Sequence, residues 1–236
     1  MATYILVHGA WHGGWCWRRV TDILRAKGHV VYTPTLTGLG ERAHLASADI
    51  DLETHIADVL GVIDAEELDD LILCGHSYGG MVITPVLDRR PELFRAGIWL
   101  DAFVPEDGHA MIEAWPRERA QHVREEVSIH GEGWRLAPLP PDYFGVMDDD
   151  DAEWVERRCV AQPFKTFTQP AHLTGAWETI PRKMYLLAEF HPNSSFDRFA
   201  TPLSERDDWD VRTVPAGHDV MIDTPELLAE ILLEFV

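Results

Sequence analysis

Short apolar runs alternate along the chain with longer stretches of helical spacing. "TYILV" at 3–7 is a β-rich run that ends in the glycine-rich "HGAWHGG", the pattern of a strand entering a turn. Residues 16–27 read as an amphipathic helix closed by Gly28. "HVVYTP" (29–34) predicts a second strand, halted by Pro34. The loop "TLTGLGERAHLAS" follows, then a helix from about Leu52 to Glu67. "LILC" (71–74) predicts a third strand running into "GHSYGG", with a helix continuing to about Arg89. "AGIWL" (96–100) is a fourth strand, and "KMYLLAE" (183–189) and "WDVRTV" (209–214) supply a fifth and sixth. A last helix begins near Pro225, with Thr224 as its expected N-cap.

Strands that alternate with helices predict an α/β fold, a mostly parallel six-stranded sheet covered by helices on both faces. The alternation breaks between about Pro105 and Pro181, where strands vanish and Trp, Pro and acidic residues dominate. That stretch holds Trp115, Trp134, Trp154 and Trp177 with Phe144, Phe164 and Phe167. It reads as a helical cap inserted after the fourth strand, inside a single domain spanning residues 1–236. There are no internal repeats.

Composition narrows the function classes. The formal net charge of −20 argues against a nucleic-acid partner, whose phosphates need Lys and Arg. No apolar run is long enough for a membrane-spanning helix, and "MATYILVHGA" lacks the basic leader of a signal peptide. Cytoplasmic location is the default expectation, and a homodimer is left open. Cys16, Cys74 and Cys159 form no CxxC pair and read as reduced thiols in or near the core. The 12 histidines show no HExxH or paired Cys/His spacing, so no metal is expected. In "MDDDDAEW", Asp148 to Asp151 cap a helix starting near Ala152 or mark a loop, and their spacing does not support cation binding.

"LILCGHSYGG" carries the chemistry. Gly75, Ser77 and Gly79 form G-x-S-x-G between a buried strand and a helix, the context in which a strained turn exposes a nucleophilic serine. An acyl-transfer site also needs donors for the oxyanion of its tetrahedral intermediate. The backbone N–H of Tyr78, just after the serine, is one candidate. Ala10, in the loop after the first strand, is the other. His218, after the sixth strand in "VPAGHDVM", is the expected general base, and His8 and His12 are expected to be structural.

Together, "ILVHGAWHGGWCW", "CGHSYGGM" and "AGHDVM" resemble the α/β-hydrolase group that contains plant methylesterases and hydroxynitrile lyases, over nearly the whole chain. The resemblance implies the α/β-hydrolase fold and a serine hydrolase without a cofactor. The lyases carry threonine where Gly9 stands and lysine where Asp219 stands, which disfavours cyanohydrin cleavage here. The plant enzymes take their triad acid from the loop after the fifth strand, where this chain reads "YLLAEFHPNSSFD" and aligns His191. Glu189 could shift into that place. The stronger candidate is Asp101 in "GIWLDAFVP", at the end of the fourth strand, where haloalkane dehalogenases on the same fold place their acid. Either position can accept a hydrogen bond from His218 Nδ1.

The expected reaction is hydrolysis of a small neutral carboxylic ester through an acyl-enzyme, with Trp11 beside the oxyanion loop contacting an apolar or aromatic substrate. A carbamate or amide hydrolase with the same triad is the alternative, and a ligand receptor built on a hydrolase scaffold is a third reading.

Overall fold

The apolar runs form six strands: β1 Thr3–Val7, β2 Val30–Tyr32, β3 Leu71–His76, β4 Phe94–Leu100, β5 Arg182–Ala188 and β6 Trp209–Val214. The computed structural model describes residues 1–146, 148–191 and 196–236. The strands lie in the order β2-β1-β3-β4-β5-β6, and every neighbouring pair is parallel. The register sets Ile5 beside Leu73, Cys74 beside Ile98 and Tyr185 beside Val211.

Successive side chains of a strand point to opposite faces, and here both faces are covered. Tyr4, Leu6, Ile72, Cys74, Ile98 and Leu100 pack in one buried cluster with Val20 and Leu24 of helix α1 (Arg18–Ala26). Ile5, Val7, Leu71, Leu73 and Trp99 pack on the other face against helices α2 (Leu52–Ala65) and α3 (Gly79–Arg89). Each fully buried Leu or Ile contributes about 2 kcal/mol of apolar burial. Two covered faces are why these strands read as continuous apolar runs rather than as alternation.

Helix starts differ in small ways from the sequence expectation. A 3₁₀ turn at Gly14–Trp17 precedes α1, whose exit at Gly28 needs a φ of +86°. Asp51 caps α2, accepting from Thr54 N at 3.1 Å. Between β4 and β5 the chain leaves the sheet and forms helices α4 (Arg117–His130) and α5 (Asp149–Glu156). Strands do not vanish there: Arg135–Leu136 pairs antiparallel with Gln162–Pro163. Those pairs are two residues long and contain proline, too short to leave a period in the sequence.

The acidic run starts α5 three residues earlier than expected. Asp148 caps it by accepting from Asp151 N at 3.0 Å, and Asp151 pairs with Arg19. Helices α6 (Asp197–Ser204) and α7 (Pro225–Leu233) complete the chain. Thr224 precedes α7 but does not cap it with its side chain. A helical turn at Val220–Asp223 comes first, and the Thr224 hydroxyl donates back to Val220 O at 3.4 Å. Among the described residues no helix is long and apolar enough to cross a membrane.

Candidate active site

The six parallel strands deliver their C-terminal ends to one edge of the sheet, on either side of the point where the strand order turns back between β1 and β3. Loops at such an edge converge on a crevice. Ser77 follows β3 directly and adopts φ +54°, a left-handed conformation that costs about 1–3 kcal/mol and must be held by its surroundings. Ser77 N donates to Leu100 O at 3.1 Å, and Ser77 O accepts from Gly80 N and Phe103 N. The glycines explain why the turn fits. A Cβ on Gly75 would lie 2.8 Å from Gly79 O, one on Gly79 2.8 Å from Val7 O, and one on Gly80 1.9 Å from Phe103 O. Gly9 faces the serine from the loop after β1, where a Cβ would come within 2.9 Å of Ser77 Cβ.

Asp101, at the end of β4, is fully buried with φ +41°. Its Oδ2 accepts from His218 Nδ1 at 2.6 Å, and its Oδ1 accepts from Ala188 N at 3.1 Å. The Glu189 side chain makes no hydrogen bond to His218 among the described residues. One further ring joins the pair: His191 Nδ1 donates to the same Asp101 Oδ2 at 3.0 Å. The two imidazoles stack, with centroids 4.3 Å apart at 30°. His191 Nε2 is buried and has no hydrogen-bond partner among the described residues. Burial accordingly pulls its pKa down, against the pull of Asp101. Burial would raise the Asp101 carboxyl, but the N–H groups of His191 and His218 hold it at about 2. The sequence carries no local signal for this contact of His191, because its partner lies 90 residues away.

His218 also stacks with Phe144 and Phe196, the latter ring nearly parallel to it at 11°. Its backbone N–H donates to Phe144 O at 2.7 Å. Ser77 and His218 line the same small cavity. The Ser77 hydroxyl makes no hydrogen bond among the described residues, and contacts of this kind often tighten only with substrate bound.

The loop after β1 presents the amides expected of an oxyanion hole. Neither Ala10 N nor Tyr78 N has a hydrogen-bond partner among the described residues, and both residues line the cavity. Trp11, at φ +64°, is pinned by the region after β4. Its N–H donates to Gln162 Oε1 at 3.0 Å, its indole to Leu136 O at 3.2 Å, and its carbonyl accepts from Val160 N at 3.0 Å.

His8 is structural, as expected: Nδ1 donates to Gly9 O and Nε2 accepts from Leu36 N. His12 is structural in another way. Nδ1 faces Ala10 O at 2.7 Å and Nε2 faces Asp219 Oδ2 at 3.2 Å, so both nitrogens donate. Burial opposes a charge on this ring, but Cys159 and the Asp219 carboxylate beside it hold its pKa well above the usual histidine range. Asp219, where a lyase of the resembled group carries lysine, is therefore a buried anion paired beneath the loop.

Of the four tryptophans singled out between β4 and β5, Trp115 alone lines the cavity, together with Trp11, Phe103, Met111 and Phe144. Trp177 packs on Trp99 and Trp209, Trp154 on Trp15, and Trp134 under Arg135. Asp101, His191 and His218 bring three metal-capable atoms within 4.8 Å of one another. Here both rings donate to the carboxylate, and the cluster reads as a hydrogen-bonded unit.

Comparison with known proteins agrees with this architecture. The family model described as "Alpha/beta hydrolase family" matches residues 4–231. The chain is 45% identical over 237 residues to the carbendazim hydrolyzing esterase of a Nocardioides species, covering 98% of each chain. It is 32% identical over 124 residues to methylesterase 3 of Arabidopsis thaliana, covering 52% of this chain and 47% of that one. Among solved structures, an extracellular α/β-hydrolase from a Paenibacillus species superposes with a TM-score of 0.86 at 24% identity, covering 99% of this chain and 98% of that one. A pyrethroid hydrolase from Sphingobium faniae gives 0.74 at 25%, covering 99% and 96%. Elbow, sheet order and near full-length match lead to one conclusion: the chain belongs to the alpha/beta hydrolase family.

Proposed function

We propose that this protein hydrolyses carbamate esters of aromatic amines, with Ser77 as nucleophile, His218 as general base and acid, and Asp101 as the residue that orients His218. The observation that carries the mechanism is the 2.6 Å contact between His218 Nδ1 and Asp101 at the cavity shared with the strained Ser77. The full-length likeness to a carbendazim hydrolyzing esterase favours a carbamate substrate. Carboxylic esters, the first expectation from the sequence, become the second reading, supported by the methylesterase and pyrethroid hydrolase relatives.

Ser77 Oγ attacks the carbamate carbonyl as its proton passes to His218 Nε2. The resulting oxyanion accepts hydrogen bonds from the amides of Ala10 and Tyr78. These donors matter more for a carbamate than for an ester, because the nitrogen lone pair delocalises into the carbonyl and weakens it as an electrophile. Collapse expels the alcohol, protonated by His218. Water, deprotonated by His218, then releases Ser77 and a carbamic acid, which loses carbon dioxide to leave the amine.

The test follows carbendazim and an aryl acetate side by side. Multiple turnovers of the carbamate, lost by at least about 10⁴-fold in folded Ser77→Ala, are expected. Retained turnover in Ser77→Ala overturns the mechanism. Ester turnover without carbamate turnover overturns the substrate class, and tight binding with less than one turnover favours a receptor.

A further inference from the structure

The cavity at Ser77 has a volume of about 50 Å³, far below the ~150 Å³ that holds one benzene molecule. An aryl carbamate cannot be enclosed there whole. Beside it lies a second cleft of about 630 Å³, between α4 and residues 131–143, a size typical of small-molecule sites. The two share Trp11, Trp115, Arg119, Leu139 and Tyr143 as a common wall. Arg119 is the charged member of that wall. Its guanidinium donates to the Tyr143 hydroxyl and lies 4.9 Å from the Trp115 ring centre and 5.6 Å from that of Tyr143. This latch joins α4 to the turn Pro141–Phe144, whose last carbonyl holds the backbone of His218.

We infer that the outer cleft is the binding site for the aromatic amine half of the substrate, and that the inner cavity accepts only a small alkoxy group. The assignment rests on the carbamate reading above, since it requires a carbonyl with one large and one small substituent. The chemistry of the cleft suits a flat, neutral aryl or heteroaryl group. Leu136 to Leu139 give an apolar wall, Trp115 gives a stacking face, and the Arg119 guanidinium can lie against the electron-rich face of a ring. His122, Glu126 and His130 supply hydrogen-bonding partners for ring heteroatoms.

Two substrate series on the full-length protein test this. Lengthening the alkoxy group of N-phenyl carbamates from methyl to butyl should lower kcat/KM by at least about tenfold. Enlarging the aryl group of methyl carbamates from phenyl to naphthyl should change it by less than about threefold. The reverse order overturns the assignment. Val123→Trp, which fills the outer cleft without reaching the inner cavity, should raise KM for the naphthyl carbamate far more than for methyl acetate. Equal losses on both, with an unchanged melting temperature, also overturn it. Tyr143→Phe, which removes the latch bond, should raise the butyl-to-methyl ratio, and an unchanged ratio removes the latch from the account.

The same size series run with carboxylic esters separates the two claims. Inert carbamates with a preserved size asymmetry on esters remove the carbamate reading and keep the subsite. Active carbamates without asymmetry do the opposite.

Discussion

Asp101 serves two histidines with one oxygen, and that sharing has measurable consequences. Asp101→Asn should lower kcat by about 10⁴-fold, because the amide no longer fixes the tautomer of His218 or stabilises its charged form. Glu189→Gln should leave kcat within about twofold, and a large loss there would reassign the acid. His191 draws part of the Asp101 charge through its own N–H. His191→Phe keeps a stacking ring but returns the whole carboxylate to His218, which favours the imidazolium. The acidic limb of kcat/KM should therefore move to higher pH, and an unmoved limb would reduce His191 to packing. The serine was legible in the sequence because an elbow is local: strand, glycines and helix are contiguous. The choice of Asp101 over Glu189 was only weighed, and the part played by His191 was invisible, because both depend on contacts across two strand ends.

At the scale of elements, the elbow requires α3 to start against the loop that leaves β4. Gly80 makes that approach, and no side chain fits between it and the Phe103 carbonyl. Gly80→Ala should destabilise the protein by about 3 kcal/mol or more, since backbone must move on both sides; urea unfolding measures it. The six strands could be read in advance because burial on both faces leaves uninterrupted apolar runs. The Arg135–Leu136 and Gln162–Pro163 pair could not, since its partners are far apart and too short to show a period. Thr224 had the right residue type for a cap, but the preceding turn at Val220–Asp223 had already claimed its hydroxyl.

Across the whole molecule, buried histidines set the pH range of stability. Burial pulls His8 down to about 3 and His55 down to about 4. His55 donates to Thr37 O and accepts from the Tyr78 hydroxyl, so its neutral form is built in. The unfolded chain takes up these protons near pH 6.5 while the folded chain does not, so stability is lost as pH falls below 6.5. Each ring costs about 1.4 kcal/mol per pH unit over that window. His12 acts in the opposite sense: its raised pKa gives stability that is full below 6.5 and declines as pH rises through the folded value. Urea midpoints plotted against pH should thus peak near neutrality and fall on both sides, and a flat acidic side would contradict the neutral burial of His8 and His55. The tether from Trp11 to Leu136, Val160 and Gln162 reaches further. The loop proposed to bind the electrophile is braced by the same insertion that lines the cavity, so on the proposed mechanism recognition and rate are mechanically one assembly. Grafting a foreign insertion from another hydrolase to obtain a new substrate range would also slacken that brace. Engineers of this scaffold should carry residues 136 and 159–162 over unchanged whenever they rebuild the rest.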